Sequence, residues 1–180
     1  MTPAYETKFA PLALTATPDR HGRVEGYAAL FGEPDRGGDI VAPGAFAETL
    51  RARTTSVKFL WQHDPAQPIG IWDSIVEDQR GLRVRGRLLT TLKQGEEAAT
   101  LLAAGALDGL SIGFRTVTAE RAGPHRRLTR IDLWEISLVT FPMADSARLS
   151  PAQTSTQTPA QSDDAAALAT AIRAAASAFA

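Results

Sequence analysis

From Leu82 to Leu88 apolar and polar residues alternate: Leu82, Val84 and Leu88 fall on one face, Arg83, Arg85 and Arg87 on the other. That is the pattern of a half-buried strand. Runs rich in aliphatic, aromatic and β-branched residues, bounded by Gly, Pro or Asp, predict further strands over 22–32, 56–62, 69–76, 110–119 and 130–141, with the alternating run itself spanning 81–89. Two stretches break the period-two pattern and read as helices. Residues 43–53 carry Pro43 near the first turn, and residues 94–107 carry Glu96 and Glu97 there, where acidic groups suit the positive end of a helix. In the second, Ala98, Leu101, Leu102 and Gly105 line one side. No internal repeat interrupts this series. The sum predicts a mainly β domain, mainly antiparallel, with short helices packed on or between the strands.

The pattern stops near residue 150. Residues 150–162 read SPAQTSTQTPAQS, a Pro/Ser/Thr/Gln linker with nothing to bury. Residues 163–180 are alanine-rich and helix-prone: Ser162 can cap them, Asp163 and Asp164 favour the N-terminal end, and Leu168, Ile172, Ala175 and Phe179 form one narrow apolar stripe. This tail reads either as a frayed terminal helix or as a docking peptide. The predicted organisation is a domain over 1–149, the linker, and the tail.

Composition narrows the function classes. A chain of 180 residues, 44% hydrophobic and 22% charged, suits one soluble domain with a core plus a tail. The net charge of −1 implies no bulk attraction to nucleic acid or anionic membranes. With no cysteine, disulfides, thiolate metal sites and cysteine nucleophiles are excluded together. The opening residues lack a basic start followed by an apolar run, and no apolar stretch reaches the roughly 18 to 20 residues of a membrane span, so a cytoplasmic protein is expected.

Chemistry is suggested first by Gly109-Leu110-Ser111-Ile112-Gly113, a G-x-S-x-G pattern. An α/β-hydrolase would place that serine between a strand and a helix, followed by an acid and then a histidine. Here a helix precedes and a strand follows, so Ser111 sits at a strand start. Only Glu120 separates it from the one later histidine, His125. A serine triad is nonetheless defined by roles rather than chain order. His21 and His125 fall in turn-like loops, whereas His63 closes the run SVKFLWQHD, sharing a face with Val57, Phe59 and Trp61. Such a histidine is either a hydrogen-bonded structural residue or a general base. Glu135 is the one charge within the apolar run of DLWEISLVTF, and a carboxylate in a strand interior demands a partner. Arg115, Arg130 and His63 all qualify on these grounds.

Five blocks in series then carry a resemblance: GYAALFGEPDRGGDIVAPGAF (26–46), VKFLWQHDPAQPIG (57–70), EDQRGLRVRGRL (77–88), GALDGLSIGF (105–114) and WEISLVTFP (134–142). Over roughly residues 20 to 145 the chain resembles the HK97-type prohead proteases of tailed bacteriophages, a class of serine peptidase similar in fold to the herpesvirus assembly proteases. The resemblance implies a strand-rich barrel surrounded by short helices. It implies that Ser111 is the nucleophile, His63 the general base and Glu135 the orienting acid, with no cofactor and no metal. Oxyanion stabilisation would come from backbone N–H groups, with Arg115 as a candidate side chain. Asp39 and Gly44 match a recurrent block and read as turn and helix-start residues. Where the family often continues Pro-Ala-Asn after the last strand, this chain has Pro142-Met143-Ala144-Asp145.

The implied biology is removal of the scaffolding segment of the major capsid protein inside the procapsid, in the host bacterial cytoplasm, followed by self-cleavage. The linker is the expected place for that cut. The implied partners are the capsid protein, the protease itself, and a second copy in a homodimer such as the herpesvirus relatives form. Two other readings stand beside this one: a catalytically silent scaffold or capsid-binding protein with the same fold, and a hydrolase of small esters.

Overall fold

The computed structural model describes residues 6–10, 22–53, 56–142, 144 and 146–150. Among them β1 (Glu6–Ala10), β2 (Arg23–Leu30), β3 (Asp39–Val41), β4 (Lys58–Trp61), β5 (Asp64–Glu77), β6 (Gly81–Leu88), β7 (Gly109–Ala122), β8 (His125–Val139) and β9 (Leu149–Ser150) make one sheet. The helices among the described residues are α1 (Ala47–Arg53) and α2 (Lys93–Ala103). The strand order is β1-β7-β8-β4-β5-β6-β2-β9, with β3 also on β8. Most neighbours run antiparallel, while β3 and β4 lie parallel to β8.

The sheet curls into a half barrel, and residues 147–150 bridge its ends. Leu149 and Ser150 pair with β2, while the Leu110 N–H donates to the Ala147 carbonyl (2.9 Å) and the Leu149 N–H to the Asp108 carbonyl (3.0 Å) at the start of β7. An Arg148–Asp108 ion pair reinforces this seam. Ser150 therefore belongs to the folded domain rather than to the linker. The remainder of the predicted linker and the predicted tail helix lie outside the described residues.

Inside the curl, Phe59, Ile69, Leu82, Val84, Leu88, Leu110, Ile112, Phe114, Leu128, Ile136 and Leu138 form the core. The alternation along 82–88 is realised as foreseen: its apolar residues are buried, and Arg83 and Arg87 pair on the other face with Glu25 and Asp73. Phe59 stacks on Trp72 with centroids 4.0 Å apart. The strands can close around this stack because Gly70 and Gly86 carry no side chain; a Cβ on Gly86 would stand 2.5 Å from the Ile71 carbonyl oxygen and 2.7 Å from the Trp72 ring. The stack fixes β4, whose last residue leads straight into the turn that carries His63.

Both helices are shorter than their periodicity predicts, for local reasons. Gly44 has φ +84°, a left-handed conformation that no helix contains, so α1 starts only at Ala47. At the other helix, Gly105 (φ +69°) ends α2 in a Schellman turn: its N–H donates to the Leu102 carbonyl and that of Ala106 to the Leu101 carbonyl. Helix α1 fills the edge of β8 between β3 and β4, where the Thr49 hydroxyl donates to the Ile131 carbonyl (2.9 Å) and accepts from the Leu133 N–H (3.1 Å).

Candidate active site

Two opposed faces of β7 and β8 do different work. Leu110 stands opposite Leu138 and Ile112 opposite Ile136, forming the core, while the residues between them, Ser111 opposite Ser137 and Gly113 opposite Glu135, share the other face. Ser111 lies within a strand, not on a strand-to-helix elbow. The first glycine of G-x-S-x-G has a packing reason: a Cβ on Gly109 would come within 2.7 Å of the Val139 carbonyl oxygen and 2.9 Å of the Pro142 ring.

Glu135 reaches this face through a β-bulge. Leu133 pairs with Phe114 and Glu135 with Gly113, so Trp134 is left over between two successive pairs. Leu133 therefore points with Phe114 into the core, and Glu135 two residues later points the opposite way. The Trp134 indole N–H donates to Asp132 (2.9 Å) and so ties the bulge locally.

His63 arrives from the other side of β8. Strand β4 ends at Trp61, which pairs with Asp64, so Gln62 and His63 form a two-residue hairpin loop. Both have positive φ, +50° and +63°, as a type I′ turn requires. His63 is thus a turn residue, which corrects the expectation that it extends the face of Val57, Phe59 and Trp61. Holding two non-glycine residues there costs roughly 1 to 2 kcal/mol each, and the surroundings offset that strain. The Gln62 N–H donates to the Leu138 carbonyl (3.0 Å), and its side-chain amide donates to Thr140 Oγ1 (2.7 Å). On the far side, Asp64 accepts from the Gln67 amide (2.5 Å) and the Ala66 N–H (2.9 Å). These two bonds hold its carboxyl below the usual carboxylate range. The prolines of 64–68, which hid this half of β5 in the sequence, fall where the β4–β5 register slips.

The result is one hydrogen-bonded chain. Ser111 Oγ is 2.5 Å from His63 Nε2, and His63 Nδ1 is 2.5 Å from Glu135 Oε1. Because a carboxylate only accepts, Nδ1 carries the proton and Nε2 is left to accept from Ser111. The Ser137 hydroxyl donates to the second carboxylate oxygen, Glu135 Oε2, at 2.5 Å. Ser111, Glu135 and Ser137 are buried, while the His63 side chain keeps 15% of its surface exposed.

The other candidates for Glu135 are engaged elsewhere: Arg115 with Asp132 (3.3 Å) and Arg130 with Glu48. His125 lies in the β7–β8 turn region, away from Ser111 along the hairpin. Asp39 is more than a turn residue, since its buried carboxylate accepts two hydrogen bonds from Arg126 (2.8 and 2.7 Å). Ser137 and Gln62 escaped the sequence reading. Ser137 was findable as the i+2 neighbour of Glu135 on a strand. Among the described residues no group of three or more His, Cys, Asp or Glu is placed to hold a metal ion, and no helix is long and apolar enough to cross a membrane.

Comparisons with known proteins agree with one another. A family model described as caudovirus prohead serine protease matches residues 11–162. The chain is 35% identical over 132 residues to the prohead protease of Enterobacteria phage HK97, covering 71% of this chain and 59% of that one. It is 29% identical over 142 residues to the capsid polyprotein of Pseudomonas phage PAJU2, covering 74% of this chain and 20% of that one. In fold it is similar to the bacteriophage T4 capsid assembly protease, with a TM-score of 0.58 and 14% identity over 79% of this chain and 100% of the other.

Proposed function

Since the chain belongs to the caudovirus prohead serine protease family, we propose that it is a serine endopeptidase of virion assembly in which Ser111 is the nucleophile, His63 the general base and Glu135 the acid that orients the imidazole. The observation that carries this is the unbroken chain Ser111–His63–Glu135, built from a strand, a strained turn and a bulged strand.

The chemistry follows from the tautomer. As Ser111 Oγ bonds to a peptide carbonyl carbon, its proton passes to His63 Nε2 and the carbonyl π electrons move onto oxygen. The oxyanion collapses, the C–N bond breaks, and the leaving amine takes the proton from Nε2. Water then repeats the sequence against the acyl-enzyme and restores Ser111. Throughout, Glu135 faces the imidazolium with a negative charge.

The proposed substrate is the scaffolding segment of the major capsid protein, cleaved inside the procapsid within the host cytoplasm, with self-cleavage between Ser150 and Asp163. Similarity to one protein named a prohead protease and another named a capsid polyprotein supports a capsid partner. The test is co-expression with the cognate major capsid protein, wild type beside Ser111→Ala, followed by intact mass of both products. Loss of an N-terminal segment from the capsid protein only when Ser111 is present sustains the reading. Full-length capsid protein in both, with the two proteins still assembling together, replaces it with a silent scaffold role.

A further inference from the structure

We propose that Ser137 is a positioning residue for the triad: its hydroxyl fixes the plane of the Glu135 carboxylate so that Oε1 stays in line with His63 Nδ1–H. This rests on the roles of Ser111 and His63 given above. Ser137 is fully buried between Ile136 and Leu138, two residues before the end of β8. A buried hydroxyl there is unfavourable unless bonded, and its bond goes to Glu135 Oε2 at 2.5 Å.

The geometry gives that bond a use. A carboxylate held at one oxygen can still rotate about its terminal bond. Donors at both oxygens, His63 Nδ1–H at Oε1 and Ser137 Oγ–H at Oε2, leave one plane. Fixing that plane holds the imidazole in the orientation and tautomer that present Nε2 to Ser111. Ser137 also stands directly opposite Ser111 in the β7–β8 register. The four groups thus form a loop, Ser111 to His63 to Glu135 to Ser137 and back across one strand pair. Ser137 touches no reacting atom, since its proton is committed to the carboxylate.

The test uses the whole chain as wild type, Ser137→Ala and Ser137→Thr. Labelling by a fluorophosphonate probe is followed over probe concentration, to separate the limiting rate from the half-saturating concentration. The exchangeable imidazole N–H protons are observed by NMR in parallel. Ser137→Ala should lower the limiting rate about 10- to 100-fold, as expected for a lost hydrogen bond to a charged group. The half-saturating concentration should not move, and the downfield His63 Nδ1–H signal should shift or broaden. Ser137→Thr keeps the hydroxyl and should recover most of the rate. A wild-type rate with an unmoved Nδ1–H signal in Ser137→Ala overturns the proposal. Should the alanine variant not fold, Ser137→Cys, close in shape but a weak donor, is expected to show the same loss, and a wild-type rate there overturns the proposal equally. A wild type that never labels refutes Ser111 as nucleophile. The NMR comparison still decides whether Ser137 holds the His63–Glu135 pair, because it requires no turnover.

Discussion

Glu135 stands opposite Gly113 while Leu133, two residues earlier, stands opposite the adjacent Phe114, so β8 carries one residue more than β7 between these two pairs. That extra residue, Trp134, turns the carboxylate from the core face of β8 to the face of Ser111. Inserting one residue between Gly113 and Phe114 should restore regular alternation opposite Trp134, and Glu135 would then take the core phase while Ile136 and Leu138 leave it. Burying a carboxylate and exposing two large aliphatic side chains together cost several kcal/mol, a large share of a domain's stability. The expected outcome of that insertion is loss of cooperative thermal unfolding, read by circular dichroism. An insertion variant with a wild-type melt would mean the bulge is incidental.

The phase change was written in the sequence. Apolar residues fall at 131 and 133, then at 136 and 138, so the alternation skips from odd to even across Trp134-Glu135. Reading 130–141 as one uninterrupted strand found Glu135 but missed why it faces Ser111. His63 shows the opposite case. Gln-His carries none of the Asn-Gly or Asp-Gly chemistry that announces a type I′ turn, so the strand was read through it. What stabilises that turn, the Leu138 carbonyl and Thr140, lies more than seventy residues away. The long strands and Ser111 were legible because burial imposes period two on them. Strands β3 and β9, with three and two residues, are too short to show any period.

The Gln62–Thr140 contact holds the His63 turn against β8. Thr140→Val keeps the shape and removes the acceptor for the Gln62 amide. One exposed hydrogen bond contributes about 0.5 to 1.5 kcal/mol, so labelling by a fluorophosphonate should slow roughly 2- to 10-fold, with little change in melting temperature. An unchanged labelling rate would remove Thr140 from the positioning of His63.

Glu135→Gln separates orientation from charge. A glutamine can accept from His63 Nδ1–H and donate to Ser137, so the imidazole keeps its tautomer, but the negative charge facing the imidazolium is gone. The expected loss of labelling rate is on the order of 10³-fold. A loss of only a few fold would assign Glu135 an orienting role alone.

Stability should vary with pH through Tyr27 and Asp78, which join β2 to the β5–β6 turn by a 2.6 Å hydrogen bond. Burial alone would push the Asp78 carboxyl up, but the Tyr27 hydroxyl, the Arg80 and Gly81 N–H groups and the Arg83 charge together hold it below its ordinary 3.8. The hydrogen bond to Asp78, followed by burial and the Asp78 charge, pushes the Tyr27 hydroxyl above 10.0. A lowered acid stabilises the fold above its unfolded value and loses that contribution as pH falls through its folded one. A raised phenol stabilises below its unfolded value and loses that contribution as pH rises through its folded one. Tyr27→Phe should therefore cost about 1 kcal/mol near neutrality, measured by urea denaturation. The difference from wild type should shrink below pH 3.8 and above pH 10.0. A difference independent of pH would mean that the pair does not titrate with folding.

The most direct test of the triad is to find where a fluorophosphonate attaches. Wild type and His63→Ala are each treated with the probe, weighed intact, digested, and the adduct located by fragmentation. Wild type should gain one adduct on Ser111, and His63→Ala should gain none in the same time. An adduct on another serine, or equal labelling of Ser111 without His63, would contradict the assignment of Ser111 and His63 as nucleophile and base.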